Sequence, residues 1–341
     1  MKKGLIIVLG LFVLFSCQNQ YVSEIDFPEE IPVEISLLKE AYLSVPLNME
    51  HGDSLLFISD FRGDSLLWIY DIKENEFISK FAPFGEGPDD FLSPIEIKLL
   101  DSVLIIHNRW HYSLKEYDLN SDGSFLIKKS AISKLPTDID RVHPLNDHNY
   151  IASGRFKEGR YVILDKNGEP IRYCGEYPSY FNGEKKIPNF PKFMFHQTMF
   201  DSNSKGNKLA CVTSHVLDIM EYTDDSLRLI HRLLLSPYGY EYRQNEYSAQ
   251  AIEDIRNEIG GRRVYATDDF IYLLYIPFTE KQYHELQSKT CEIWVFDWNG
   301  KAIKKFIINS DICTFCVNRE NNTIYCVTNA PEPTVGRIII N

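Results

Sequence analysis

The sequence predicts an all-β fold, a six-bladed β-propeller whose ring is closed by an N-terminal strand that joins the C-terminal blade. The first observation is a repeat: a short strand running into a polar turn occurs three times, with aspartates at Asp71, Asp118 and Asp165, at intervals of 47 residues. The second is that aromatic residues, 13% of the chain, lie in strand-like runs, as packed sheets require. A fixed period of this size, built from strands, is typical of a radial β array.

Alternation of apolar and polar residues, together with turn residues, assigns three strands to each blade. The first five sets are Leu55–Ser59, Leu66–Asp71 and Glu76–Phe81; Val103–His107, Ser113–Asp118 and Phe125–Lys129; Tyr150–Ser153, Arg160–Asp165 and Pro170–Cys174; Lys208–Thr213, Val216–Tyr222 and Leu227–Leu234; Phe270–Ile276, Glu292–Asp297 and Lys301–Ile308. The sixth set, Thr314–Asn318, Thr323–Thr328 and Gly336–Ile340, lacks an outer strand. The spare strand-like segment Val33–Leu38 would complete that sheet, and a closed ring leaves no edge exposed to aggregation.

Two segments interrupt the strand pattern. Tyr247–Ile259 has apolar residues at helical spacing and is followed by Gly260 and Gly261, which predicts a short amphipathic helix that ends at glycine. Thr279–Lys289 is polar, and we expect a second excursion or a long loop there. No Pro/Gly/Ser-rich linker divides the chain, so residues 33–341 are expected to form a single domain.

The N-terminus has the features of a lipoprotein export signal. Lys2 and Lys3 precede an apolar run, Leu5–Phe15, that is too short for a membrane-spanning helix. Leu14–Cys17 resembles the bacterial lipobox, which predicts a signal peptide at residues 1–16, a lipid on Cys17 and a tether at residues 17–32. The alternative is an ordinary signal peptide with a chance cysteine. We expect an exported lipoprotein of the outer membrane, on the periplasmic face, because no acidic residue follows Cys17 directly.

Charge and motifs narrow the class of function. The net charge is −12 and no basic stripe is present, which excludes a phosphate-backbone binder such as a nucleic-acid protein. His107 and His111 would lie about 13 Å apart on one strand, too far for one metal ion. The sequence has no nucleophile elbow, zinc-protease helix or phosphate-binding glycine loop. We therefore expect a monomer with no cofactor and no metal, attached to the membrane through its lipid alone.

Six cysteines follow Cys17 in the mature chain. If Asn321 and Asn322 form a hairpin turn, Cys316 and Cys326 lie almost opposite one another and would be able to form a disulfide in an oxidising compartment. The alternative, which we favour, is that these strand cysteines are small buried apolar residues.

A short loop after the first blade resembles a family motif. Phe84–Phe91 is similar to the Gly-x-Gly-Pro-Gly-Glu-Phe loop of the six-bladed, TolB-like β-propeller lipoproteins of Bacteroides and its relatives, with Gly85, Gly87, Pro88 and Phe91 in matching positions. Asp89 and Asp90 depart from that motif, where glycine and glutamate are usual. The resemblance implies the propeller fold, and the role of the family is largely unassigned. We favour a role for this loop in shaping the blade crossover over ligand binding, because its residues are chiefly turn formers.

The blade repeat also predicts a ligand site. Superposed blades place Phe61-Arg62, Arg109-Trp110 and Arg155-Phe156 in equivalent loops, with His215 and Tyr275 near the same loop of later blades. Arginines that converge at the mouth of a propeller channel would hold a carboxylate or phosphate. The alternative is that each arginine pairs with a nearby acid. We name Arg62, Arg109, Trp110, Arg155, Phe156 and His215 as the candidate ligand-binding residues.

The sequence therefore favours a non-catalytic binding or interaction module for a partner protein or an anionic ligand. Two alternatives stay open: a propeller hydrolase or lyase that acts on a sugar acid, lactone or peptide, and a structural scaffold of an envelope complex.

Overall fold

The computed structural model describes residues 25–120, 126–223, 226–329 and 332–340. Six sheets of at least four strands form the blades of a β-propeller, which confirms the predicted fold and blade count. The expected signal peptide, Cys17 and the start of the tether lie outside the described residues. No helix within the described ranges is both long and apolar enough to cross a membrane.

The first three blades follow one another without insertion. Blade 1 contains β3 to β6, at Pro46–Gly52, Leu55–Asp60, Ser65–Asp71 and Glu76–Pro83. Blade 2 contains β7 to β10, at Ile95–Leu100, Val103–Asn108, Ser113–Leu119 and Leu126–Ile132. Blade 3 contains β11 to β14, at Ile139–Pro144, Tyr150–Gly154, Tyr161–Leu164 and Pro170–Cys174.

Longer connections precede blade 4 and blade 5, and another lies within blade 5. Blade 4 contains β15 to β18, at Met199–Ser202, Lys208–Val212, Val216–Thr223 and Ser226–Leu234. Blade 5 contains β21 to β24, at Glu258–Ala266, Phe270–Thr279, Cys291–Asp297 and Ala302–Ile308. Blade 6 contains β25 to β27, at Ile312–Val317, Thr323–Thr328 and Thr334–Ile339. Helix α1, Asn189–Phe195, lies between blades 3 and 4, and hairpin β19–β20, Tyr240–Gln244 and Ala249–Glu253, lies between blades 4 and 5. Helix α2, Glu280–Glu285, lies between the second and third strands of blade 5.

The N-terminal segment closes the ring at two blades. Strand β2, Ser36–Glu40, pairs antiparallel with β27 and supplies the outer strand that blade 6 lacks, as predicted. Strand β1, Glu30–Val33, was not anticipated and adds parallel to β24 at the edge of blade 5. Phe27 is buried against Trp294 and Phe296, so the expected tether ends earlier than residue 32.

Sequence reasoning missed the first strand of blades 1 to 5. These innermost strands line the central channel, and charged or polar residues occupy most of their channel-facing positions, as with Glu96 and Lys98 of β7. Their polar residues made these strands resemble loops between blades. In the structure those polar side chains face the channel.

The predicted helix at Tyr247–Ile259 was wrong. That segment contains β20 and the start of β21, and two of the residues that gave the helical spacing, Tyr247 and Ile255, are 84% and 91% exposed. Asn245 accepts hydrogen bonds from the backbone amides of Tyr247 and Ser248 and so closes the hairpin turn. Gly260 has a φ of +71°, and a Cβ there would lie 2.1 Å from the carbonyl oxygen of Ser214, so this glycine allows a close approach rather than a helix cap.

All six described cysteines are free thiols. In the register of β25 and β26, Cys316 lies opposite Tyr325 and Cys326 lies opposite Phe315. Since neighbouring positions in a strand face opposite sides of the sheet, Cys316 and Cys326 point away from one another. Both are fully buried, as the favoured alternative required.

Candidate functional site

The innermost strands present two layers of side chains to the channel, because residues two apart in a strand face the same side. The outer layer, at the mouth, contains Asn48, Glu96, Arg141, Met199 and Arg263. The inner layer contains Glu50, Lys98, His143, Asp201, Tyr265 and Thr314.

A buried ion triad spans the inner layer. The Lys98 Nζ lies 2.6 Å from the Asp201 Oδ1 and 3.4 Å from the Glu50 Oε2, so Lys98 of blade 2 ties blades 1 and 4 across the channel. Asp201 also accepts hydrogen bonds from the backbone amides of Ser202 and Ala266 at 2.9 and 2.6 Å. Burial alone would lower the pKa of Lys98, but the two carboxylates raise it above its ordinary value.

The Glu50 carboxyl is the protonated group of the triad. Burial raises the pKa of Glu50 to about 8, despite the attraction of Lys98. Glu50 therefore holds a proton at neutral pH, while Asp201 lies closer to Lys98 and accepts hydrogen bonds from two backbone amides. The inner layer is therefore close to electrically neutral.

Above the triad lies a pocket of about 200 Å³ that three guanidinium groups line. The Arg141 Nη1 lies 2.5 Å from the Glu96 Oε1, and the Arg109 Nη1 lies 4.0 Å from the same oxygen. Arg109 also donates from Nε to the Asp140 carbonyl oxygen at 3.0 Å and from Nη2 to the Asp140 carboxylate. Arg109 and Arg141 are thus compensated by two carboxylates.

Arg263, the third cation of the pocket, is held by backbone groups. Its Nε donates to the Leu47 carbonyl oxygen at 2.6 Å and its Nη1 to the Arg262 carbonyl oxygen at 2.7 Å. Within the described part of the chain, no carboxylate forms an ion pair with it. Burial, followed by repulsion from Arg141 and Arg262, lowers the pKa of Arg263 to about 10, and the group stays charged at neutral pH.

Apolar and neutral side chains form the rest of the pocket wall. Phe61, Ile97, Val142 and Phe200 contribute apolar surface. His107 also lines the pocket, and its buried Nδ1 has no hydrogen-bond partner among the described residues. Burial, followed by repulsion from Arg109, lowers the pKa of His107 to about 3, so this ring is neutral.

The structure brings one of the six sequence-predicted residues into the pocket, namely Arg109. Arg62 is exposed, with its guanidinium carbon 5.9 Å from the ring centre of Phe61, and Trp110 is 67% exposed. The Arg155 Nη2 lies 3.3 Å from the Asp138 carboxylate and donates to the Thr137 carbonyl oxygen. Equivalent loop positions therefore do not point in equivalent directions.

The two remaining candidates are buried away from the pocket. Phe156 is 5% exposed and packs edge-on against Tyr173. The His215 Nδ1 lies 2.9 Å from the Ser236 Oγ, and its ring stacks on Phe195.

The Gly85–Phe91 loop folds upon itself. The Asp90 carboxylate accepts a hydrogen bond from the Gly87 amide at 2.8 Å, and a Cβ at Gly85 or Gly87 would lie 2.3 or 2.7 Å from that carboxylate. Lys115 donates to the carbonyl oxygens of Pro88 and Asp90. These contacts are those of a crossover, and the residues of the loop do not line the pocket.

Sequence reasoning missed six charged residues of the channel: Glu50, Glu96, Lys98, Arg141, Asp201 and Arg263. Their signal was the polar residue at every second position of the innermost strands. Among the residues that the structure describes, no group of three or more His, Cys, Asp or Glu side chains is arranged to hold a metal ion.

Comparisons with known proteins agree with this fold. A family model described as TolB-like 6-blade propeller-like matches residues 26–320. A solved structure from Bacteroides fragilis, of a protein described as exported, has a TM-score of 0.54 and 13% identity over 92% of this chain and 99% of that chain. A member of the DUF4221 family from Bacteroides vulgatus has a TM-score of 0.51 and 12% identity over 90% of this chain and 98% of that chain. No curated protein matches the sequence.

Proposed function

We propose that this chain, which belongs to the TolB-like six-blade propeller family, is a non-catalytic binding module that holds a small anion at the mouth of its channel. The observation that carries this proposal is the half-buried Arg263 guanidinium, which lines the pocket without a carboxylate partner in the described residues.

The charges of the pocket support an anionic occupant. Three guanidinium groups, of Arg109, Arg141 and Arg263, stand against two carboxylates, of Glu96 and Asp140. The triad below adds no net charge when Glu50 is protonated. A cation without a counter-charge in a partly desolvated pocket is stabilised by a bound anion, and a guanidinium suits a carboxylate or phosphate.

A hydrolase or lyase is supported less well. Glu50 has the raised pKa of a general acid, at about 8. However, Lys98 binds both carboxylates of the triad, and the His143 Nε2 lies 2.9 Å from the Ser202 Oγ. These contacts engage the charged groups of the inner layer with one another, which favours a role in holding the blades together.

Export and lipid attachment at Cys17 form a second part of the proposal. The apolar run before Cys17 supports it, as does the similar Bacteroides fragilis fold described as exported. We expect radiolabelled palmitate to enter the wild-type chain in a Bacteroides host and not the Cys17→Ser variant. Equal labelling of the two chains, or no label in either, would contradict lipid attachment at this residue.

Titration calorimetry with small anions tests the binding role. We expect Arg263→Met to lose anion binding, because it removes the uncompensated charge. Arg262→Met is the matched control, since Arg262 is the exposed neighbour on the same strand. The double variant Arg62→Ala/Arg155→Ala tests the rim site that the repeat predicted. If this double variant loses anion binding while Arg263→Met binds fully, the channel pocket is not the binding site.

A further inference from the structure

We infer that the occupant of the channel pocket is a monocarboxylate with a short apolar body. This inference rests on the proposed function and specifies its ligand class. It follows from four properties of the pocket: its net charge, the free donors of Arg263, its neutral histidines and its apolar walls.

The mouth of the channel has one uncompensated positive charge, which a ligand with one negative charge would balance. Glu96 and Asp140 already compensate Arg141 and Arg109, which leaves Arg263 as the single uncompensated cation of the pocket lining. A second negative charge on the ligand would meet those two carboxylates with no further cation to offset them. Like charges inside one small pocket repel strongly where water is partly excluded. Dianions such as phosphate or a dicarboxylate are therefore disfavoured.

The free donors of Arg263 suit a carboxylate. A guanidinium has five N–H donors in one plane. Two of them are used by the carbonyl oxygens of Leu47 and Arg262. Three remain without a partner among the described residues, at the Nη1 and Nη2 atoms. A carboxylate is planar and accepts two parallel hydrogen bonds from such a pair.

The histidines of the pocket do not provide a second cation. Burial, followed by the charge of Lys98, lowers the pKa of His143 well below its ordinary value, and His107 is likewise neutral. Both rings therefore present neutral nitrogen atoms and flat surface at neutral pH.

The size and the lining of the pocket indicate a small ligand with an apolar body. A volume of about 200 Å³ lies below the roughly 300–1,000 Å³ of pockets for drug-sized ligands, so the occupant is small. Two aromatic rings, Phe61 and Phe200, and the aliphatic Ile97, Ile105 and Val142 line it. An apolar group gains free energy there by leaving water.

A matched ligand series tests the inference on the unmodified protein. Benzamide, benzoate and phthalate share one ring and carry no, one and two negative charges, respectively, at pH 7.5. We expect calorimetry to detect benzoate binding at least tenfold tighter than that of benzamide or phthalate. Phthalate or inorganic phosphate binding as tightly as benzoate would overturn the monocarboxylate and leave anion binding standing. No binding by any of these anions would overturn the proposed function as well.

Variants of Arg263 locate the binding. We expect Arg263→Met to weaken benzoate binding at least tenfold and Arg263→Lys to weaken it less, because lysine keeps the charge but not the paired donors. Arg262→Met should weaken benzoate binding much less than Arg263→Met does, because the exposed Arg262 acts on the pocket only through its charge. If Arg263→Met fails to fold, Arg263→Lys and the ligand series still decide the result. Benzoate binding that is unchanged in a folded Arg263→Met protein would overturn the site.

Discussion

At the scale of the residue, buried charges are the features on which this protein depends most. Arg160 is 1% exposed, and its Nη1 lies 2.6 Å from the Asp218 Oδ2. Arg232 approaches the other oxygen of the same carboxylate at 2.7 Å. One aspartate in blade 4 therefore compensates two arginines, one of them from blade 3.

Removal of that aspartate charge should destabilise the fold. Asp218→Asn leaves the Arg160 guanidinium buried without a counter-charge, at a cost of about 3–5 kcal/mol in the free energy of unfolding. Glu221→Gln, on the same strand, breaks only the exposed pair with Arg228 and should cost less than about 1 kcal/mol. Urea unfolding of the two variants measures both values. Equal losses would show that Asp218 does not have this role.

At the scale of the element, strand β2 is the piece that closes the ring. Its pairing with β27 places Ile35 and Leu38 against the core between blades 5, 6 and 1. Gly336 of β27 makes room for this segment, since a Cβ there would lie 2.4 Å from the Ile35 side chain. The strand thus contributes both hydrogen bonds and apolar burial.

Truncation measures this contribution. A chain that begins at Glu34 keeps β2 and lacks β1, whereas one that begins at Ala41 lacks both. We expect the shorter chain to be less stable by about 2 kcal/mol, because Ile35 and Leu38 are partly buried and full burial contributes roughly 1.5–3 kcal/mol for each side chain. It should also self-associate through the exposed edge of β27. A shorter chain that stays monomeric, with an unchanged unfolding midpoint, would contradict the closing role.

At the scale of the whole molecule, the ion triad links stability to pH. The pKa of Glu50 is about 8 in the folded protein and 4.5 when unperturbed, so folding takes up a proton between these values. The stabilisation is complete below pH 4.5 and is lost as pH rises through 8. Relative to Glu50→Gln, the wild type should lose up to about 1.4 kcal/mol for each pH unit within this window.

Urea unfolding of the wild type and Glu50→Gln at pH 5.5, 7.0 and 8.5 measures this difference, in which the contributions of other groups cancel. A constant difference between the two proteins would mean that Glu50 is charged in the folded state.

The sequence predicted the blades well and the pocket poorly, for one physical reason. The outer three strands of a blade bury apolar side chains between neighbouring sheets, so their alternation and the 47-residue repeat at Asp71, Asp118 and Asp165 are visible in the chain. The pocket depends on contacts that exist only when the ring closes. The bond from Arg263 to Leu47, for example, joins residues 216 positions apart. A local repeat identifies Arg62 and Arg109 as equivalent, but not which of them faces the channel.

The most direct test of the channel pocket is a crystal structure of the protein soaked with 4-bromobenzoate, with an anomalous difference map at the bromine edge. We predict a bromine peak inside the channel mouth, between Phe61 and Phe200, with the carboxylate on the Arg263 guanidinium. An empty pocket, or a peak at the rim beside Arg62 or Arg155 instead, would contradict the account.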